Sequence, residues 1–462
     1  MPSFWENVDD FTSNAFGLAP DKANLIASQL ISIVFAFIFY FGFSHKNVGT
    51  NARHVYSLSV GMFLAFCCFR WQIIQLIASA VISYILLRLR VSHFQILILI
   101  LTMAHLCSLH LHRQIFNYGS YILDVTGPLM IMVQKISIVG FGYSDGFSKD
   151  EELSPLHKQH KITGCPSLLA YMSYLFSFLT LMTGPCFFFQ DYIQFIEGNS
   201  FKPYSVQNSQ GKSHVKYPSN FMPFLISFLS VLFWGFVTVK ITSQFPVNYL
   251  IEPTVLNESW FLAKLVYAYL CTTLYRAQYY VAWKFGEAVS HAAGFGFSGW
   301  TKEGLDTWDL VSNCKVIELE TGTSLKVLID SWNVQTSNWL RYIVYTRFKY
   351  NPTIATFTLS AMWHGFYPGY YVTFVGGAIA LIVSKKFRKL YRHNFLSPPY
   401  VKFLYDVFTW IVAHATLSFL IVAFLLLRIS LIIKFYKSVY FYMPIITLLL
   451  IAFLPNPKEH KK

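Results

Sequence analysis

Tyr350–Phe374 reads YNPTIATFTLSAMWHGFYPGYYVTF, and its reading decides the fold. From Thr353 to Thr373 the only ionisable side chain other than tyrosine is His364, set between Trp363 and Gly365, with Pro368 and Gly369 one helical turn on. A helix over Thr353–Phe366 would rise ~21 Å at 1.5 Å per residue, short of the ~30 Å hydrocarbon core of a bilayer. The stretch therefore predicts a membrane helix interrupted at His364, with the imidazole deep in the membrane rather than at its surface. An ionisable group at that depth is costly and marks a functional site by default. A neutral histidine bonded to a neighbouring helix fits the same stretch equally well, so the choice falls to the rest of the chain.

Of the 462 residues 55% are hydrophobic and only 13% charged, with a mean hydropathy of +0.45. Soluble domains carry about 25% charged residues, so the composition specifies a polytopic membrane protein. The net charge of +14 points to anionic membrane lipids or anionic ligands. Nucleic acid is excluded as a partner, because the basic residues sit in short loops between apolar runs and not on one soluble face. Cys67, Cys68, Cys107, Cys186 and Cys271 lie inside apolar runs, no C-x-x-C pair occurs, and no metal-ligand spacing is present; no metal site is expected. The acidic leader 1–23 (Glu6, Asp9, Asp10, Asp21) lacks the pattern of a cleavable signal and precedes a retained first span. The whole chain, 1–462, is read as one transmembrane domain ending in a basic tail, 455–462.

Hydropathy places spans at Leu25–Phe43, at His54–Trp71 and Gln72–Leu87 as a tight pair broken by Arg70, at Phe94–Leu111, and at Tyr118–Phe141. A first loop, 142–165, precedes Ser167–Phe189, which holds the breaker Thr183-Gly184-Pro185. Spans follow at Phe221–Val239 and Phe261–Trp283, then a glycine-rich corner, 294–299. Thr323–Lys349 reads as one amphipathic helix with Leu325, Leu328, Trp332, Trp339 and Ile343 on a face. A basic loop, Lys385–His393, separates the His364 region from two last spans, Val401–Leu427 and Ile429–Leu454. Some ten or eleven membrane segments result, several kinked or re-entrant. The basic loop and basic tail share one side, which the positive-inside rule makes cytosolic. No inverted repeat of the transporter kind is visible.

Each candidate for chemistry has a plainer competitor. Gly142-Tyr-Ser144-Asp-Gly146 matches a nucleophile elbow, but that motif needs a strand before the serine and a helix after it, and a chance match in a turn is the better reading. Ser360 stands four residues before His364 on one helical face; without an oxyanion hole or an orienting acid nearby it reads as bonded back to its own helix. His105, His110 and His112 lack carboxylate or cysteine partners and read as interfacial, not as metal ligands. The run Asp330-Ser-Trp332-Asn333-Val-Gln-Thr336-Ser-Asn-Trp339-Leu-Arg341 suits a tryptophan-anchored interfacial helix. It also suits a cavity wall: Asn333 has chain enough, past the Pro352 turn, to fold back onto His364. A deep imidazole beside a neutral amide suits general-base chemistry, the amide orienting a carbonyl or steadying developing negative charge.

Trp363-His364-Gly365 with Tyr367-Pro368-Gly369-Tyr370-Tyr371, and Trp332-Asn333-x-x-Thr336-x-x-Trp339-Leu340, resemble the membrane-bound O-acyltransferase family and its lysophospholipid branch. Trp308-Asp309, Thr183-Gly184-Pro185 and Arg276-x-x-Tyr279-Tyr280-x-x-Trp283 are similar to further motifs of that branch; the likeness runs from about Thr183 to the carboxyl end. It implies an all-α polytopic bundle with re-entrant or kinked helices around a mid-membrane tunnel, in the endoplasmic reticulum membrane. It implies His364 and Asn333 as the catalytic pair, with Trp332, Thr336, Trp339, Trp363, Tyr280, Trp283, Arg276 and Ser360 contacting substrate. It further implies acyl transfer to a lysophospholipid hydroxyl, with acyl-CoA as co-substrate and no cofactor. The acceptors it points to are lysophosphatidylethanolamine or lysophosphatidylserine. Lys326, Arg341, Arg347 and Lys349 are candidates for the CoA phosphates, or for anionic headgroups. In the late Tyr436-x-x-x-Tyr440-Phe441 pattern Pro444 stands where the family has histidine. Two alternatives stand beside this reading: a family member acting on lysophosphatidylcholine, lysophosphatidylinositol, a sterol or a secreted protein, and a proton-coupled transporter. The lack of Asp and Glu in the central spans weighs against the second.

Overall fold

The computed structural model describes residues 4–120, 122–200, 204–207 and 213–455. It is almost wholly helical, and the chain gathers into two compact units. The first comprises Met1–His110, Ser120–Leu232 and Val281–Ser312; the second comprises Leu111–Gly119, Phe233–Tyr280 and Asn313–Lys462.

The first unit begins with α1 (Phe4–Phe16), α2 (Pro20–Gly42), α3 (Thr50–Phe69), α4 (Ile73–Leu89) and α5 (Phe94–Phe116). The acidic leader is a docked helix: Asp9 pairs with Arg70 at 2.8 Å, and the Arg70 guanidinium lies 3.8 Å from the Trp5 ring. At the centre stands α6 (Thr126–Asp145), with 16 residues buried along its length. Gln134, Lys135, Ser137 and Asp145 are buried with its apolar side chains; polar groups of this kind are costly against lipid, so the helix faces protein. Its Lys135 is fully buried; Nζ donates to the Tyr174 carbonyl at 2.9 Å and sits 4.6 Å from the Phe187 ring. Those contacts hold the chain that follows α7 (Pro155–His160) and α8 (Leu168–Leu175) and leads into α9 (Phe189–Ile196). Gly61 of α3 lets that segment close in, since a Cβ there would lie 1.6 Å from the Phe176 carbonyl oxygen. A hairpin, β1 (Tyr204–Gln207) with β2 (Ser213–Lys216), precedes α10 (Phe221–Phe236). After α11 (Pro253–Glu258) comes α12 (Phe261–Ala292), a 32-residue helix, then the two-residue strands β3 (Gly299–Trp300) and β4 (Asp306–Thr307).

The second unit contains α13 (Val316–Thr321), α14 (Leu325–Ser331), α15 (Val334–Leu340), α16 (Pro352–His364), α17 (Pro368–Tyr391), α18 (Pro399–Leu426), α19 (Ile429–Ser438) and α20 (Tyr442–Phe453). Close packing of α17 on α18 rests on Gly369, where a Cβ would lie 2.1 Å from the Ala423 carbonyl oxygen. The Gly369 amide donates to the Leu427 carbonyl at 3.0 Å, and Thr373 Oγ1 donates to the Leu420 carbonyl at 2.7 Å. Ala380, Leu420, Ala423, Ile432 and Phe435 join the core that unites α17, α18 and α19.

Among the described residues six helical segments are long and apolar enough to cross a membrane: Pro20–Gly42, Thr50–Leu89, Phe94–Phe116, Phe221–Ile251, Pro368–Phe395 and Pro399–Leu426; α19 and α20, bent 78° at a short break, raise this to seven if counted together. The expected ten or eleven segments include kinked and re-entrant ones, which a count of long apolar helices leaves out. Apolar character marks burial as well as lipid contact, and several apolar runs are buried inside protein. Residues 118–120 and 122–125 precede α6 instead of continuing it, and Ser167–Phe189 is an eight-residue helix followed by irregular chain. The pair at Arg70 is one 40-residue helical segment with a 3-10 turn at Arg70–Gln72. Ser144 lies in the last turn of α6, so the elbow-like sequence is neither a strand-to-helix turn nor a loop. Lys385–Tyr391 completes α17 and is not a loop. The last span breaks where Tyr440 and Phe441 take positive φ (57° and 47°). Of the basic tail, residues 456–462 lie outside the described residues.

Candidate active site

The predicted amphipathic helix Thr323–Lys349 is three pieces: α14, α15 and a π-helical turn, Arg341–Tyr345. The break falls at Asn333, which has φ 47° and ψ 52°. Only glycine, and after it asparagine and aspartate, adopts that left-handed region readily, so the residue proposed for chemistry is also the hinge. Hydrophobic spacing still located the buried face: Leu325, Leu328, Trp339 and Ile343 are buried, and Trp332 is half-buried. Trp339 is 1% exposed, which removes the interfacial-anchor reading for it.

A residue that sequence reasoning missed holds Asn333. Buried Asn313 donates from Nδ2 to Asn333 Oδ1 at 3.1 Å, accepts from the Gln335 amide through Oδ1 at 2.9 Å, and accepts from the Val334 amide through its carbonyl at 2.8 Å. The side chain thus caps the first turn of α15 from a distance, replacing the missing cap at Asn333. Asn333 Oδ1 accepts from Asn313, and the Nδ2 of the same carboxamide is a donor.

His364 ends α16 as expected, and Gly365 (φ 119°, ψ −162°) supplies the stop. That conformation is essentially restricted to glycine. The half-buried imidazole lies among rings: Phe374 stacks on it at 4.8 Å, and Trp363, Phe424 and Tyr370 stand edge-on at 4.7, 5.5 and 5.9 Å. Trp363 is buried and meets Trp339 at 6.0 Å. That contact ties the helix opened by Asn333 to the helix closed by His364. Thr336 is buried in α15. Ser360, also buried, makes no side-chain hydrogen bond among the described residues, to His364 or to its own helix; the expected back-bond is not formed.

Arg276 is paired with a carboxylate, while its Nη1 is buried with no hydrogen-bond partner among the described residues. Its Nη2 donates to both carboxylate oxygens of Glu320 at 2.9 and 2.7 Å, and the Tyr280 hydroxyl donates to Glu320 Oε1 at 2.7 Å. Tyr280 is buried and packs on Trp332 at 6.1 Å, and Tyr279 meets the same indole at 5.6 Å. Arg276 and Tyr280 therefore brace Trp332, the residue before Asn333, and Glu320 is the unforeseen centre of the brace. A glutamate in a short stretch of polar chain gives no sequence signal for this. Trp283 lies on the same helix, in the part belonging to the first unit, and is half-buried.

The other motif residues make contacts within their own units. The His291 ring bonds Ser227 Oγ at 3.0 Å through Nδ1 and the Trp308 carbonyl at 3.2 Å through Nε2, while Ser298 bonds Asp309. Gly184 lies against Gly286, where a Cβ would meet the Gly184 carbonyl oxygen at 2.0 Å. Tyr436 stacks on Phe419 at 3.8 Å and donates to its carbonyl at 3.0 Å. Lys326 pairs with Asp330, and Arg347 Nε donates to the Tyr342 carbonyl at 3.0 Å; Lys326, Arg341 and Lys349 are exposed and Arg347 is half-buried. Among the described residues no cluster of three metal-ligating side chains occurs.

The architecture is that of an all-α, multi-pass membrane protein whose polar chemistry sits at helix breaks. The chain belongs to the membrane-bound O-acyltransferase family, whose model matches residues 47–426; it is an acyltransferase, and the transporter reading falls away. The match begins far ahead of Thr183, so the likeness extends over more of the chain than its motifs indicated. The chain is 36% identical to rat membrane-bound glycerophospholipid O-acyltransferase 2, over 97% of this chain and 88% of that protein. It is also 36% identical to human membrane-bound glycerophospholipid O-acyltransferase 1, over 97% and 92%. Against lysophospholipid acyltransferase 6 of Drosophila melanogaster it is 35% identical, over 95% and 62%.

Proposed function

We propose that the chain transfers a fatty acyl group from acyl-CoA to the free sn-2 hydroxyl of a lysophospholipid in the endoplasmic reticulum membrane. Lysophosphatidylethanolamine or lysophosphatidylserine is the acceptor. The likeness to glycerophospholipid and lysophospholipid acyltransferases supports a glycerophospholipid acceptor. The observation that carries the chemistry is an imidazole and an oriented carboxamide at two helix breaks joined by Trp339–Trp363. His364 takes the proton from the acceptor hydroxyl as its oxygen attacks the thioester carbonyl. Asn333 Nδ2 donates to the oxyanion of the tetrahedral adduct. Collapse breaks the carbon–sulfur bond, the CoA thiolate leaves, and the imidazolium returns the proton to sulfur. The aromatic shell excludes water, which would otherwise hydrolyse the thioester. No covalent acyl-enzyme is needed, in keeping with a Ser360 hydroxyl that is not bonded to His364.

The test uses purified protein, acyl-CoA and a panel of lysophospholipids with ethanolamine, serine, choline and inositol headgroups, beside a sterol and a peptide. His364→Ala is expected to abolish turnover while the protein still inserts and elutes as a single species. Near-normal turnover in that variant refutes the mechanism. A panel in which choline, inositol, sterol or peptide acceptors lead refutes the acceptor assignment alone.

A further inference from the structure

Between α14 and α17 the second unit has an open groove of about 440 Å³ lined by Ser324, Lys326, Val327, Ser384, Lys385, Arg388, Lys389 and Arg392. Five of these eight are cations, and among the described residues only Lys326 has a carboxylate partner, that of Asp330. Arg388 donates to the Thr323 carbonyl at 3.2 Å, and Arg392 Nε is buried with no hydrogen-bond partner. Along α17 the pairs Lys385–Lys389 and Arg388–Arg392 stand at i,i+4, while Lys385–Arg388 and Lys389–Arg392 stand at i,i+3. Like charges at those spacings repel. The helix dipole favours cations near its C-terminus and explains one or two of them, but not four converging on a groove.

The face of α17 says what would occupy it. Val375, Ile379, Ile382, Lys385 and Lys389 are all exposed, and their spacings of 4, 3, 3 and 4 place them along one stripe. The apolar part belongs to a segment long and apolar enough to cross a membrane; the cationic part follows at its end. A molecule lying along the stripe must be apolar for about two turns and anionic at the groove. We propose that this groove binds the phosphate headgroup of an anionic phospholipid whose acyl chains lie on Val375, Ile379 and Ile382. Arginine and lysine together match a phosphomonoester, the first by paired N–H donors and the second as a point charge. Basic pockets at the cytosolic end of membrane helices are suited to this ligand. CoA also carries a phosphomonoester but lacks a chain continuous with that group, so the stripe favours the lipid.

The experiment measures the melting midpoint of the full-length protein in neutral detergent with added short-chain phosphatidic acid, free CoA or inorganic phosphate. Its arms are wild type, Lys385→Gln/Lys389→Gln, and the exposed control Lys434→Gln/Lys437→Gln. Phosphatidic acid is expected to raise the midpoint of wild type and control at low concentration, and to bind K385Q/K389Q about tenfold to a hundredfold more weakly, as loss of charge-assisted hydrogen bonds requires. Without additive the K385Q/K389Q midpoint should equal or exceed that of wild type, because crowded charge is removed; a lower one overturns the charge argument. Equal responses of variant and control to phosphatidic acid overturn the proposal. Stabilisation by CoA or phosphate but not by phosphatidic acid, lost in K385Q/K389Q, overturns the lipid assignment.

Discussion

Asn313→Ala is the sharpest probe of the site, because its effect is expected to travel through Asn333 alone. The substitution deletes two hydrogen bonds, the 3.1 Å bond to Asn333 Oδ1 and the 2.9 Å cap of the Gln335 amide, and spares the backbone bond to Val334. A buried neutral hydrogen bond contributes about 1 kcal/mol and a helix cap about 1 kcal/mol, so the melting transition should lose about 2 kcal/mol. Freed from Asn313, the Asn333 carboxamide spends part of its time turned away; about 1 kcal/mol of lost orientation is roughly fivefold in kcat. Asn333→Ala removes the donor itself, which costs about 10²–10³ in kcat, and adds backbone strain of about 1–2 kcal/mol at its left-handed φ. Asn333→Gly lacks the donor but relieves the strain, so its kcat should match that of Asn333→Ala while its melting midpoint is higher. The decisive measurement is kcat of the double variant Asn313→Ala/Asn333→Ala in an acyl-CoA assay. If Asn313 acts by aiming the carboxamide, the double variant matches Asn333→Ala. Multiplication of the two losses, or an unchanged kcat in Asn313→Ala, refutes the reasoning.

Glu320→Ala strands Arg276, which is almost fully buried, and breaking such a pair costs about 3–5 kcal/mol. The 23% exposure of the Glu320 side chain puts the expected loss at the lower end, read as melting in detergent, with Arg276→Leu/Glu320→Leu recovering most of it. Gly365→Ala forces a Cβ onto φ 119°, strain of about 1–3 kcal/mol that is relieved by shifting His364; a displacement near 1 Å lowers kcat about a hundredfold, and a kcat within twofold of wild type would show that the stop does not aim the imidazole. Gly369→Ala places a Cβ 2.1 Å from the Ala423 carbonyl oxygen, so α17 and α18 must separate; overpacking of this kind costs about 1–3 kcal/mol or more, and an unchanged melting midpoint would contradict the close approach.

What the sequence disclosed and what it concealed divide along one physical line. Breaks written in glycine and proline were legible: the stop after His364 and the corner at Gly294, Gly296 and Gly299 all appear, because those residues change the backbone's own preferences. Contacts between distant neutral or paired groups were not. Asn313 reaches Asn333 across 20 residues and Glu320 reaches Arg276 across 44, and neither leaves a periodic trace. The break at Asn333 was hidden for another reason: hydrophobic spacing reports which side chains are buried, and it runs through a left-handed residue unaltered if the buried face is kept. That face was kept, from Leu325 to Ile343. Asparagine reconciles the two demands at this point. It tolerates the hinge conformation as alanine or leucine does not, and its carboxamide then stands at the start of α15, one oxygen engaged by Asn313 and one nitrogen still able to donate. Glycine would make the hinge without the donor, and glutamine the donor without the hinge. The geometry of the break and the proposed chemistry thus favour the same residue, and for that reason a substitution here is expected to separate stability from turnover.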